Sequence, residues 1–186
     1  MKTSVFIDGA YLERVLKDEF GTPRIDFHLL VTALAGTDPI LRTYYDNCLP
    51  YQSKQSNTEE QTRFRKKEQF LEALRKLPRF EVRLGKLAFR GMSDTGQPNF
   101  EQKRVDVLFA RDLVLLAAKQ KIEKAIVLTG DSDLVPAIQT AKDEGVQVHL
   151  VHGQRSQVGD DLWSEADERT QIDQNLICSV LLPSRK

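Results

Sequence analysis

The sequence predicts an α/β fold built around a mainly parallel sheet. Short apolar runs rich in Val and Ile alternate with longer segments whose apolar side chains recur at helical spacing. Strands that alternate with helices form parallel sheets. The chain has 186 residues and contains no linker, internal repeat or low-complexity tract. We therefore expect one domain over residues 1–186, in which the C-terminal tail at 171–186 has no structure defined by its pattern.

The first third of the chain predicts two strands and two helices. TSVFID (3–8) is a continuous apolar strand, and residues 8–21 continue as a helix that Gly21 ends. Asp26 is a plausible N-cap for a helix that runs to Gly36. PILRTYYDN (39–47) is rich in β-forming residues and predicts the second strand.

The middle of the chain predicts a long helix and a half-exposed strand. Residues 48–57 are polar and predict a loop, and residues 57–78 carry apolar side chains at helical spacing up to Pro78. RFEVRLGKLAFRG (79–91) alternates as a strand that can kink at Gly85. Residues 92–103 predict a loop, and the apolar density of 104–120 predicts a helix packed on the sheet.

The last third predicts two buried strands and the helix between them. KAIVLTG (124–130) and VQVHLVHG (146–153) are the strands, and a helix with Pro136 near its first turn joins them. A short helix follows around 162–168. The apolar tail LICSVLL (176–182) is either an edge strand or a segment that binds a protein partner or a second copy.

Composition excludes several classes of protein. The hydrophobic share of 40% and the charged share of 29% are typical of a globular domain, and no apolar run approaches the ~18 residues that span a bilayer, so no membrane role is expected. The N-terminal MKTSVFID is too short for a secretion signal, so we expect a cytoplasmic protein. The spacing of Cys48 and Cys178 favours plain buried thiols over a zinc site or a disulfide.

Positive charge is concentrated in one segment, although the formal net charge of the chain is zero. Residues 63–90 contain ten lysines and arginines against three glutamates, a net charge of +7. This segment is a candidate polyanion-binding face, and a solvated helix surface is the alternative. The basic residues that we expect to contact phosphates are Arg63, Arg65, Lys66, Lys67, Arg83, Lys86, Arg90, Lys103 and Arg104.

Aspartates end two of the predicted strands. Asp8 ends the first strand, Asp131 ends the strand at 124–130, and Asp106 interrupts an apolar run at the start of a predicted helix. In parallel α/β sheets, functional groups gather at the carboxyl ends of the strands. If these strands are neighbours, the three carboxylates converge, and two of them about 4 Å apart repel by roughly 4 kcal/mol at an effective dielectric of 20. A cation would relieve that repulsion.

Mg²⁺ or Mn²⁺ suits such a cluster, because hard cations prefer oxygen ligands and retain water. Clusters of this kind commonly cut phosphodiesters. The alternative is that Asp8, Asp131 and Asp133 only cap helices. Asp112 lies near the opposite side of its helix from Asp106, so periodicity places it outside the same ligand shell. Thr129 and Ser132 could hold a water or a phosphate, or could serve only the turn.

Three stretches together resemble the NYN domain family, specifically its LabA-like branch, within the PIN-like nuclease superfamily. They are VFIDGAYL (5–12), KRVDVLFARDLVLLA (103–117) and AIVLTGDSDLVPAIQTAKDEGVQV (125–148). The resemblance implies a three-layer α/β/α sandwich around a five-stranded parallel sheet of order 3-2-1-4-5, and metal-dependent ribonuclease activity.

The resemblance also implies roles for individual residues. Asp8, Asp106, Asp131 and Asp133 match the family's catalytic and metal-binding acids, and Asp112 matches a further family acid. The family often has an asparagine three residues after the first aspartate, and this chain has Tyr11 there. The expected function is an endoribonuclease that uses Mg²⁺ or Mn²⁺ to cut single-stranded RNA.

Two other functions remain open from the sequence. An RNA-binding or regulatory NYN module with weak or no turnover would keep the fold and the basic face without the chemistry. A haloacid-dehalogenase-like phosphatase also begins with an aspartate at a strand end, but it needs a second acid two residues later, where this chain has Ala10. A dinucleotide enzyme is disfavoured because no G-x-G-x-x-G follows the first strand.

Overall fold

A computed structural model describes residues 1–53, 56–92, 98–155 and 158–183, with the side chains of 88, 92 and 98–102 left aside. The strands are β1 (Thr3–Asp8), β2 (Ile40–Asn47), β3 (Phe80–Leu84), β4 (Lys86–Met92), β5 (Pro98–Lys103), β6 (Lys124–Leu128), β7 (Gln147–His152) and β8 (Glu168–Gln171). The α-helices are α1 (Gly9–Phe20), α2 (Phe27–Ala35), α3 (Thr58–Arg75), α4 (Val105–Ala118), α5 (Val135–Asp143), α6 (Asp160–Glu165) and α7 (Gln174–Ser179).

Six parallel strands form the main sheet, in the order β3-β2-β1-β6-β7-β8. The first five have the order that the resemblance implied. The sixth, β8, was not predicted. Its sequence is ERTQ, and its side chains alternate between intermediate and exposed, so it lacks the apolar run that marks a buried strand.

Two apolar cores cover the two faces of the sheet, which confirms the three-layer α/β fold. On one face, Val5 and Ile7 of β1 pack in a core with residues of α1, α2, α3 and α7. On the other face, Phe6 stacks on Tyr44 with ring centroids 5.2 Å apart and contacts Phe109 of α4. Alternate residues of a strand point to opposite faces, so Asp8 and Asp46 lie on the α4 face with Phe6 and Tyr44.

The predicted strand at 79–91 is divided at Gly85, where a kink was expected, into β3 and β4, and the loop predicted at 92–103 was wrong for residues 98–103, which form β5. The chain leaves the main sheet at Gly85, and β4 pairs with β5 in a separate antiparallel hairpin. A side chain at Gly85 would meet the carbonyl oxygen of Lys103 at 2.5 Å, so only glycine allows this close approach. Residues 93–97 of the predicted loop lie outside the described residues.

The C-terminal tail folds back onto the domain. Ile177 of α7 and Val180 are buried in the first core. The backbone amide of Asp26 donates to the carbonyl oxygen of Val180 at 2.7 Å, and the amide of Leu182 donates to the carbonyl oxygen of Arg24 at 2.8 Å. The tail is thus a helix followed by a short bridge, not an edge strand. Cys48 is buried as expected, whereas Cys178 on α7 is exposed.

Candidate active site

The carboxyl edge of the sheet carries the aspartates that the sequence analysis selected. Asp8 is the last residue of β1 and lies beside Asp46 of β2 in the strand register. Asp131 follows the end of β6, which is the other neighbour of β1. Because the three strands are parallel and adjacent, their ends meet at one edge of the sheet.

Asp8 serves as the N-cap of α1. Its Oδ1 accepts hydrogen bonds from the amides of Ala10 at 3.0 Å and Tyr11 at 3.1 Å. Burial raises the pKa of Asp8 to about 6; the amide bonds oppose this rise, and the negative charges of Asp106 and Asp131 add to it. Asp8 is therefore a capping residue that also experiences two neighbouring carboxylates.

Asp106 lies in the exposed first turn of α4 and faces the same carboxylates. Burial raises its pKa, and the charges of Asp131 and Asp133 raise it further. The structure thus brings the four predicted acids, Asp8, Asp106, Asp131 and Asp133, into one electrostatic cluster. We call these four residues the acidic cluster.

The loop after β6 is held by its own polar side chains. Asp131 is the N-cap of the 3-10 turn at Ser132–Leu134, and its Oδ1 accepts from the amide of Asp133 at 2.9 Å. The buried hydroxyl oxygen of Thr129 accepts from the amide of Asp131 at 3.1 Å. Ser132 donates its hydroxyl to Asp161 Oδ1 at 2.9 Å. Thr129 and Ser132 therefore shape this loop.

The donor chemistry of the acidic cluster fits a hard divalent cation in an open site. The capping bonds of Asp8 and Asp131 use Oδ1, and no described residue donates a hydrogen bond to Oδ2 of either. Within the described residues, no three His, Cys, Asp or Glu side chains are arranged to hold a metal ion. Mg²⁺ commonly binds one or two carboxylates and completes its shell with water and substrate phosphates, so it does not require such a cage.

Asp112 lies apart from the acidic cluster, on the inner side of α4. Only 3% of it is exposed, and its carboxylate pairs with Arg83 Nε at 2.7 Å and Arg111 Nη2 at 2.7 Å. The guanidinium of Arg83 also lies 5.4 Å from the ring centroid of Tyr44. Helical periodicity likewise predicted that Asp112 and Asp106 lie near opposite sides of this helix.

Asp46 is an acid that the sequence analysis did not select. It is fully buried, and neither carboxylate oxygen has a hydrogen-bond partner among the described residues. Burial raises its pKa to about 8, with a further contribution from the charge of Asp112. The sequence contained a pattern that could have indicated Asp46, because YYDN places an acid at the end of a strand just as VFID does.

The protein-family model described as NYN domain matches residues 2–173, which is nearly the whole chain. The chain belongs to the NYN domain family. This places it within the PIN-like nuclease superfamily and favours a nuclease over the haloacid-dehalogenase alternative.

Two individual proteins resemble this NYN domain. The uncharacterized protein y4oD of Sinorhizobium fredii is 37% identical over 75 residues, which are 39% of this chain and 35% of that protein's length. The chain thus matches about a third of that relative. The crystal structure of a protein of unknown function, VPA0982 from Vibrio parahaemolyticus, aligns with a TM-score of 0.66 at 18% identity, over 97% of this chain and 96% of the other. That likeness supports the fold.

Tyr11, at the position where the NYN resemblance implied an asparagine, is a buried structural residue. Its hydroxyl accepts from the amide of Gly153 at 3.0 Å. Its ring fills the space above Gly130, where an added Cβ would lie 2.5 Å from Tyr11 Cε2. Tyr11 therefore joins the start of α1 to the loops after β6 and β7.

The basic residues predicted for this NYN domain divide into two groups. Lys67 forms an ion pair with Glu13, and Arg83 pairs with Asp112, so both side chains are engaged within the fold. The other seven are solvent-exposed: Arg63, Arg65, Lys66, Lys86, Arg90, Lys103 and Arg104. Arg104 immediately precedes α4 and is two residues from Asp106.

Across the described residues, no helix is long and apolar enough to cross a membrane.

Proposed function

We propose that this NYN domain is a metal-dependent endoribonuclease that hydrolyses RNA phosphodiester bonds. The observation that carries the proposal is the acidic cluster at the carboxyl edge of the sheet, in which burial first and neighbouring carboxylates second raise the pKa values of Asp8 and Asp106. Carboxylates crowded in this way favour a divalent cation between them.

Asp8, Asp106 and Asp131 would hold Mg²⁺ or Mn²⁺, the first and last through the Oδ2 atoms that their capping bonds leave free. The bound ion would polarise a phosphoryl oxygen and lower the pKa of a water molecule. Asp133 would contact the ion or orient the attacking water from the turn that Asp131 caps. The buried Thr129 and the Ser132–Asp161 pair hold that turn in position.

The exposed basic residues would bind the phosphate backbone on either side of the cluster. Lys103 and Arg104 precede Asp106 in the chain, and Arg63, Arg65 and Lys66 extend along α3. Such contacts release counterions, so RNA affinity should fall as salt rises.

The deciding experiment is cleavage of a labelled single-stranded RNA in Mn²⁺ and in EDTA by the wild type and Asp131→Asn. Asparagine still caps a helix, so the loop should keep its shape. We expect metal-dependent cleavage that falls by at least about 100-fold in the variant, since metal catalysis supplies several kcal/mol. Asp143→Asn, an exposed acid at the end of α5, is the matched control and should cleave normally. Cleavage that survives both EDTA and Asp131→Asn would rule the proposal out.

A second candidate is an RNA-binding module with weak or no turnover. The structural role of Tyr11, at the position where the NYN resemblance implied an asparagine, favours it. This module would bind RNA with the same affinity in Mn²⁺ and in EDTA, and Asp131→Asn would bind as the wild type does.

A further inference from the structure

A cavity of about 900 Å³ lies between α1 and α3 on the face of the sheet opposite α4. Its floor is apolar and includes Leu16, Ile25, Phe27 and Phe70. The rings of Phe27 and Phe70 lie 5.4 Å apart at 59°, and both contact the ring of Tyr45. A concave site of this volume with an aromatic floor is within the range of ligand-binding pockets. We call it the α1–α3 cavity.

The rim of the cavity is cationic. Lys17, Arg24, Arg63 and Lys66 line it, and each is exposed. Within the described ranges, none of these four forms an ion pair. Lys67 also lines the cavity, with its ammonium 5.6 Å from the centroid of the Phe70 ring. Glu13 is the acid of the lining and pairs with Lys67, so the cavity combines flat apolar surface below with a net positive charge above.

One end of the cavity reaches the carboxyl edge of the sheet. Ala10 lines it two residues after Asp8, and Asn47 and Cys48 line it directly after Asp46. Cys48 lies close enough to Asp106 for that charge to raise its pKa, after the larger effect of burial. A polymer bound in the cavity would thus continue toward the acidic cluster.

We propose that the α1–α3 cavity binds unpaired nucleotides of the RNA adjacent to the cleaved phosphate, an inference that rests on the proposed function. The bases pack against the apolar floor near Phe27 and Phe70, and the phosphates contact the cationic rim. Unstacked bases are typically held on aromatic side chains while basic groups follow the backbone. Paired bases cannot enter such a cavity, so the bound segment must be single-stranded.

The first test is binding of a short labelled single-stranded RNA in EDTA, which requires no cleavage. Ala73→Trp places a ring over the cavity from an exposed lining position on α3. We expect its affinity to fall about tenfold, as for loss of one or more stacked bases. Gln69→Trp, at an exposed position of α3 that does not line the cavity, is the matched control and should bind as the wild type does. Thermal unfolding checks that both variants are folded.

The second test reverses one charge. Arg63→Glu changes the rim, whereas Lys119→Glu makes the same charge change at the end of α4. We expect Arg63→Glu to weaken binding at least about tenfold and to reduce its salt dependence, and Lys119→Glu to have little effect. A double-stranded RNA of the same sequence should bind more weakly than the single strand in all proteins.

Several outcomes would overturn the inference. Each of three results would show that RNA does not bind in the cavity. They are equal effects of Ala73→Trp and Gln69→Trp, equal binding of single- and double-stranded RNA, and no RNA binding in EDTA. The two proposals fail separately. Metal-dependent cleavage with an unaffected Ala73→Trp variant would keep the nuclease and reject the cavity, whereas cavity-dependent binding without cleavage would keep the cavity and reject the nuclease.

Discussion

Asp46 places an ionisable group in the interior directly beside Asp8, and its oxygens have no hydrogen-bond partner in the described part of the chain. A buried carboxylate without partners is costly when it is ionised, which is why its pKa rises to about 8 and the neutral acid prevails at pH 7. The residue therefore makes the stability of the domain depend on pH.

We predict that Asp46→Asn removes this dependence. The folded pKa of about 8 exceeds the unfolded value of about 3.9, so the folded state holds the extra proton between these values. The stability due to Asp46 is complete below about pH 4 and is lost as pH rises toward 8. Between pH 5 and pH 8 the wild type should lose about 4 kcal/mol relative to Asp46→Asn. Urea unfolding in EDTA at both pH values measures this, and parallel pH profiles would contradict it.

Asp112 differs because its charge is paired. We predict that Asp112→Asn lowers the free energy of unfolding by about 2 kcal/mol, because it loses charge-assisted bonds to Arg83 and Arg111. The cost is limited because both guanidinium groups are partly exposed and can bind water. Denaturant unfolding measures the loss, and titration with Mn²⁺ should show the wild-type affinity. A lost Mn²⁺ affinity would instead make Asp112 a ligand.

Among the elements, α1 connects the acidic cluster to the rest of the carboxyl edge. We predict that Tyr11→Phe costs about 1 to 3 kcal/mol, since it leaves the buried amide of Gly153 without its acceptor. Tyr11→Asn should cost more, about 3 to 5 kcal/mol, because it also empties the space above Gly130. Thermal unfolding of both variants gives the order. An asparagine variant as stable as the wild type would show that the ring does not support the loop.

The elements also show where sequence patterns are sufficient. Strand and helix signals lie within a few residues of one another, so Asp8 could be placed at the end of β1 and Gly21 at the end of α1 from the sequence. The β4–β5 hairpin could not be placed in this way. Its existence depends on pairing between Lys86 and Lys103 and on the close approach of Gly85 to Lys103, both of which join segments that are not adjacent in the sequence.

The same distinction applies to the candidate site. The four acids of the acidic cluster were predictable because each follows a local signal, a strand end or an acid within an apolar run. The partners of Asp112 and the isolation of Asp46 depend on which strands and helices become neighbours. The α1–α3 cavity likewise forms only when two helices far apart in the chain come to lie on the same face of the sheet.

At the scale of the whole molecule, the tail contributes to the core. We predict that Ile177→Ala lowers the free energy of unfolding by about 2 to 4 kcal/mol, because this side chain is 2% exposed. Cys178→Ala, at the exposed neighbouring position, should change it by less than about 0.5 kcal/mol. Urea unfolding compares the two. If Ile177→Ala instead kept its stability and changed elution in size-exclusion chromatography, the tail would be an interface between copies.

The central position of β1 has a consequence for synthesis of the chain. On one side β1 pairs with β6, and partners such as Thr3 and Lys124 are about 120 residues apart. At translation rates of roughly 5 to 20 residues per second, that edge of β1 waits about 6 to 24 s before β6 is made. Val5 and Ile7 remain without their β6 partners Ile126 and Leu128 during that interval. The middle of the sheet therefore closes late in synthesis, and until then the apolar surface of β1 is open to non-native contacts.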